Sequence, residues 1–104
     1  MKVEVSGRAY EDLDQFATCL GRQQRGLGDR FLVAAADTFE RLAESPTLGE
    51  RTGSRLKSMA GVRRWHVRGF PNHLVFYRPT DDGVLIVRLQ HSASDWARRM
   101  AVDP

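Results

Sequence analysis

The chain has 104 residues, with 16 Lys/Arg against 13 Asp/Glu, 41% hydrophobic and 28% charged residues, so one soluble globular domain of 1–104 with a modest core is expected. Its apolar runs, Val84 to Val87 among them, are far short of the roughly 20 residues of a membrane-spanning helix, and Met1-Lys2 leads into Val3 and Val5 rather than a signal-peptide core. The lone Cys19 rules out an internal disulfide and fits a reducing cytoplasm, and one Cys with three scattered His argues against a structural zinc site.

Charge is unevenly spread. Residues 1–50 hold six Lys/Arg and nine Asp/Glu, whereas residues 51–104 hold ten and four. From Arg51 to Arg68 there are six bases (Arg51, Arg55, Lys57, Arg63, Arg64, Arg68) and no acid. Such asymmetry points to an acidic or polyanionic partner, although a basic surface also simply keeps a small protein soluble.

Lys2 to Val5 alternates polar and apolar, as a half-buried strand does. Ser6 follows as a helix cap. Ala9, Leu13, Phe16, Ala17 and Leu20 then recur on one helical face, with Glu11, Asp12 and Asp14 near the start, where the helix dipole favours acids. Gly26-Leu27-Gly28 ends this helix. Asp29 is the expected cap of a second helix running to about Glu44, with the stripe Phe31, Leu32, Ala35, Phe39, Leu42 and Ala43 and a stop at Pro46. Two amphipathic helices joined by a glycine loop form a helical hairpin.

Thr47 to Gly61 lacks periodicity and reads as a loop, with one helical turn near Leu56 to Met59. Val62 to Arg68 is a strand. Trp65, Val67 and Arg63 share one face and Arg64, His66 and Arg68 the other. Gly69 to Asn72 is a turn, with His73 beside it at the surface. Leu74 to Arg78 is the next strand, and Pro79 to Gly83 closes a hairpin, with Asp82-Gly83 suited to positive φ. Val84 to Gln90 is apolar on both faces and belongs inside the sheet. Ser92 with Asp95 resembles a capping box before a short last helix carrying Trp96 and Met100. The expected fold class is α+β: an N-terminal strand, a helical hairpin on an antiparallel sheet of about four strands, and a C-terminal helix. Trp65, Val67, Leu74, Phe76, Leu85, Val87, Leu13, Phe16, Phe39 and Leu42 are the expected core, with the inward strand face left open.

The order of these elements resembles the ParE/RelE superfamily of toxins from type II toxin–antitoxin pairs. The matching residues are Ala9 with Asp12-Leu13, Phe31, Phe39, Leu42 and Pro46-x-x-Gly49. They continue through Arg63-Arg64 before Trp65, Phe76-Tyr77-Arg78, Asp82-Gly83, and Ile86-x-Arg88-x-x-His91 followed by Asp95. Leu89-Gln90-His91 leads into a helix rather than a basic, aromatic tail, which resembles the ParE branch. Ser94 departs from that pattern, since ParE-like chains commonly carry Arg there.

The resemblance implies a cytoplasmic toxin that inhibits DNA gyrase by binding. It implies a ParD-like antitoxin that neutralises the toxin within a hetero-oligomer, operator DNA contacted only through the antitoxin, no membrane and no cofactor. The alternatives are a ribosome-dependent mRNA endonuclease and a non-toxic relative that only binds a partner. The expected target-binding residues are Arg64, His66, Arg68, Arg88 and His91, with Arg78 and Tyr77 nearby. For RNA cleavage, His66 or His91 would move the proton while Arg64, Arg68 and Arg88 held phosphate. Against either role, Arg and His on the open face of an antiparallel sheet are often just solvated. His91 in that case ends its strand and satisfies a backbone carbonyl or Asp95. Cys19 beside the first helical stripe reads as packing.

Overall fold

The computed structural model describes residues 1–53 and 57–102. In chain order the elements are β1 (Lys2–Val5), α1 (Gly7–Gln23), α2 (Leu27–Glu44), β2 (Glu50–Arg51), a 3-10 turn (Lys57–Met59), β3 (Arg63–Val67), β4 (Phe70–Pro79), β5 (Gly83–His91) and α3 (Trp96–Val102). The five strands form one sheet in the order β1-β5-β4-β3-β2. Every neighbouring pair is antiparallel except β1 and β5, which run parallel. This is the expected α+β arrangement with one more strand. The added strand, β2, has only two residues and lies in the stretch read as a loop.

Ser6 caps α1 as expected. Its Oγ accepts from the Ala9 N–H at 3.0 Å and donates to the Val87 carbonyl at 2.7 Å, so the cap also fastens the helix start to the sheet. α2 begins earlier than predicted, at Leu27 after Gly26, which leaves Asp29 in the first turn instead of at the cap. A carboxylate there still faces the positive end of the helix. The proposed box at Ser92 and Asp95 also shifts. Ser92 donates its N–H to the Asn72 carbonyl, and α3 starts only after Asp95, whose carbonyl accepts from the Arg99 N–H. Of the predicted turn near Leu56, Lys57–Met59 is 3-10 and Leu56 lies outside the described residues.

The sheet is covered on both sides. Val67, Val75, Tyr77, Val84, Ile86 and Leu89 pack under α1 and α2 with Leu13, Phe31, Phe39 and Leu42, and Phe16 and Trp65 join at the margin. On the other face Phe76 and Val87 meet Met59, Val62 and Met100, with Leu74, Leu85 and Trp96 beside them. The expected core residues are therefore split between two layers. β5 reads as apolar on both faces because both layers use it.

Two glycines sit where backbones meet. A Cβ on Gly83 would collide with the Lys2 carbonyl of β1, so Gly83 is required by close approach and not by positive φ. At Gly49 a Cβ would lie 2.6 Å from the Tyr77 hydroxyl and 2.7 Å from the Arg64 carbonyl. The buried Tyr77 hydroxyl accepts from the Gly49 N–H at 2.8 Å and donates to the Pro46 carbonyl at 2.8 Å. It thus ties the loop after α2 onto the sheet and places β2 against β3.

Candidate functional site

The first candidate, Arg88, lies where the β4–β5 register breaks. Phe76 pairs with Arg88 and Tyr77 with Ile86, leaving Val87 as an extra residue in β5. β1 stops one step earlier, at Val5 opposite Ile86. Past that point Asp12 of α1 takes the place of a neighbouring strand. Its carboxylate accepts from the Leu89 N–H at 2.9 Å and from Arg88 Nε at 2.7 Å and Nη2 at 3.2 Å. Both side chains are buried, with 7% of Arg88 and 8% of Asp12 exposed. Arg88 is therefore not part of an open cationic face. It is an internal counter-charge that joins α1 to β5, and Asp12 serves that pair rather than the helix dipole.

His73 and His91 form a cross-strand pair with ring centroids 5.2 Å apart at 80°. His73 is not at the surface. Its ring meets Phe16 at 4.9 Å, Phe31 at 5.1 Å and Phe70 at 6.1 Å, all edge-on, in the layer beneath the helices. Burial, and then the neighbouring His91, hold its pKa below the ordinary 6.5. His91 ends β5, and its Nδ1 accepts from the Ala93 N–H at 3.0 Å. Its carbonyl accepts from the Ser94 N–H at 3.0 Å and Oγ at 2.6 Å. Ser94 shapes this turn.

Arg64 and His66 share the face of β3 that pairs with Phe76 and Leu74, whereas Arg68 lies past the end of the strand, and the side chains have different neighbours. Arg64 Nε donates to Glu50 of β2 at 3.0 Å, and its guanidinium carbon lies 5.0 Å from the Trp96 ring centroid. It turns toward α3. The His66 ring stacks on Trp65 at 5.0 Å and 30°. His66 and Arg68 line a groove of about 670 Å³ against Asp37, Glu40, Arg41 and Glu44 of α2. The Arg68 N–H donates to Thr38 Oγ1 at 3.0 Å, which closes β3 against that helix. This groove has mixed charge, with three carboxylates facing its cations.

The other part of the basic run builds a different groove, of about 760 Å³, at the opposite end of β3. Arg51, Arg63 and Arg78 line it with Met59, Val62 and Pro79, and among the described residues none that lines it is acidic. Arg63 Nη1 donates to the Gly49 carbonyl at 2.7 Å and Arg78 Nε to the Ala60 carbonyl at 3.2 Å. Arg51 sits opposite Arg63 in the β2–β3 register, and Arg63 opposite Tyr77 in β3–β4. Sequence reasoning missed this cluster because Arg51 and Arg63 meet only through β2, and two residues carry no periodicity. Tyr77 is buried under the helices rather than offered at a surface.

Residues 3–96 match the family model described as the ParE toxin of a type II toxin–antitoxin system, parDE. The chain belongs to the ParE toxin family. A solved structure titled as the chromosomal ParDE TA system from P. aeruginosa has the same fold, with a TM-score of 0.66 at 16% identity over 88% of this chain and 95% of that one. No curated protein sequence matches the chain. Among the described residues no helix is long and apolar enough to cross a membrane.

Proposed function

We propose that this ParE-family chain is the toxin of a type II pair, that a ParD-like antitoxin neutralises it in the cytoplasm, and that its freed form inhibits DNA gyrase by binding. Contact with operator DNA then runs through the antitoxin. One observation carries the choice of binding over RNA cleavage. The groups that cleavage requires are dispersed: Arg88 is buried against Asp12, His91 is packed on His73, and His66 sits in a groove with three carboxylates. A 2′-hydroxyl attack needs an acid–base group and cations converging on one phosphate. Arg64, His66, Arg68 and His91 remain at least partly open to solvent and are the target contacts in this reading. Arg88 supports the fold beneath them.

Inducing the chain without its antitoxin tests this. The expected outcome is a DNA-damage response and filamentous cells with intact mRNA. Fragmentation of mRNA within minutes, without DNA damage, overturns the gyrase reading. Harmless expression at high level, with no associating product from a neighbouring small reading frame, overturns the toxin–antitoxin reading.

A further inference from the structure

We infer that the outer edge of β1 pairs with β1 of a second copy of this chain, antiparallel about a two-fold axis at Val3. The inference does not depend on the toxin reading.

β1 ends the sheet order, beside β5. The Lys2 N–H donates to the Asp82 carbonyl, and just past the strand the Ser6 N–H donates to the Ile86 carbonyl. Backbone groups alternate in direction along a strand, so Lys2, Glu4 and Ser6 bond toward β5 while Val3 and Val5 turn their N–H and C=O outward. Among the described residues none is hydrogen-bonded to these outward groups. The Val3 and Val5 side chains pack against the layer beneath the helices. Lys2 and Glu4 stand exposed on the other face, with Nζ 2.9 Å from Oε1.

The sequence of β1 selects the occupant. An open edge is a template for pairing, and a charge placed on it repels an indiscriminate strand. Here the two charges are opposite in sign and two residues apart. Antiparallel pairing of Val3 with the partner's Val3 sets Lys2 opposite the partner's Glu4, and Glu4 opposite the partner's Lys2. These are the closer, non-hydrogen-bonded positions, where a cross-strand pair of opposite charge is favourable. Sliding the partner by two residues puts Lys2 opposite Lys2 in one direction and Glu4 opposite Glu4 in the other. An in-register parallel pair opposes like charges at both positions. The self-paired arrangement also sets Val3 against Val3, which carries the apolar layer across the axis, and it joins two five-stranded sheets into one.

The test uses the full-length chain, made by cell-free synthesis so that harm to a host does not limit supply. Sedimentation velocity should show a dimer forming below about 1 mM, the weak range of a small contact. Protection of the Val3 amide from hydrogen exchange should rise over the same range, a readout that needs no variant. Lys2→Glu and Glu4→Lys should each weaken dimerisation by about tenfold or more, because both cross-strand pairs become repulsive. Their circular dichroism should be unchanged, since both side chains are exposed. An equimolar mixture of the two variants should restore the dimer, because each altered position then meets an opposite charge. Val3→Pro removes an outward N–H that β5 does not use and should leave the chain monomeric. A wild-type chain that stays monomeric up to about 1 mM overturns the inference. So does a dimer that both charge variants retain, or a mixture of folded variants that stays monomeric. Val3 protection that appears only when a different protein is added assigns the edge to that protein and also overturns the inference.

Discussion

The Tyr77 phenol lies in the core with its oxygen bonded on both sides, to Pro46 and to Gly49. Tyr77→Phe removes the oxygen and leaves the buried Gly49 N–H and the partly buried Pro46 carbonyl without it, so stability should fall by about 1–3 kcal/mol in urea unfolding. A change near zero would mean that water replaces the hydroxyl. His73 offers a pH test. Its folded pKa lies below the ordinary 6.5, so the unfolded chain binds the proton more readily. Its contribution is complete above 6.5 and is lost progressively as the pH falls below that value. The groups around His73 are Phe16, Phe31, Phe70 and His91, and none is acidic. Urea midpoints should therefore drop between pH 7 and pH 5.5, and His73→Phe should flatten that slope. An unchanged slope would place the titrating group elsewhere.

Between elements, the strongest polar junction is Asp12 with Arg88 and the Leu89 N–H. Asp12→Ala leaves the buried guanidinium without its carboxylate and should cost about 3–5 kcal/mol. Asp12→Leu combined with Arg88→Met should recover most of that loss, measured by thermal unfolding of both variants. If the pair of changes is as damaging as the single one, the junction has a role beyond charge balance. This junction was partly legible in the sequence. An arginine inside the apolar run Val84 to Leu89 is a buried charge in want of a partner, and Asp12 lies three residues after Ala9 and four before Phe16, on the apolar stripe of α1. The helices, the β3-β4-β5 meander and the Ser6 cap were legible because each repeats at its own period or ends on a residue with one strong local preference. β2 was not, because two residues have no period. His73 was not either, since a single histidine beside Asn72 looks the same whether its strand begins at Phe70 or after the turn. The grouping of Arg64, His66 and Arg68 followed strict alternation, which holds for Arg64 and His66, while the irregularity at His66/Val67 and the end of β3 take Arg68 out of it.

At the scale of the molecule, two apolar layers share one sheet. Phe39→Ala in the layer beneath the helices should lower stability by about 3–5 kcal/mol, and a loss below about 1 would show that Phe39 is not buried in solution. The same sheet joins the two ends of the chain. β1 pairs with Gly83 to Ile86, Ser6 bonds to Val87 across 81 positions, and Asp12 bonds to Arg88 across 76. During synthesis, the first strand and the first helix therefore emerge from the ribosome long before the strand that completes them has been made. No chain that stops before β5 contains the finished sheet, and the long loop must close before its contacts can reward closure. Protease resistance of ribosome-arrested chains should appear only once β5 has left the exit tunnel. A newly made molecule consequently has an interval, set by translation and this final closure, in which it exists but cannot yet act.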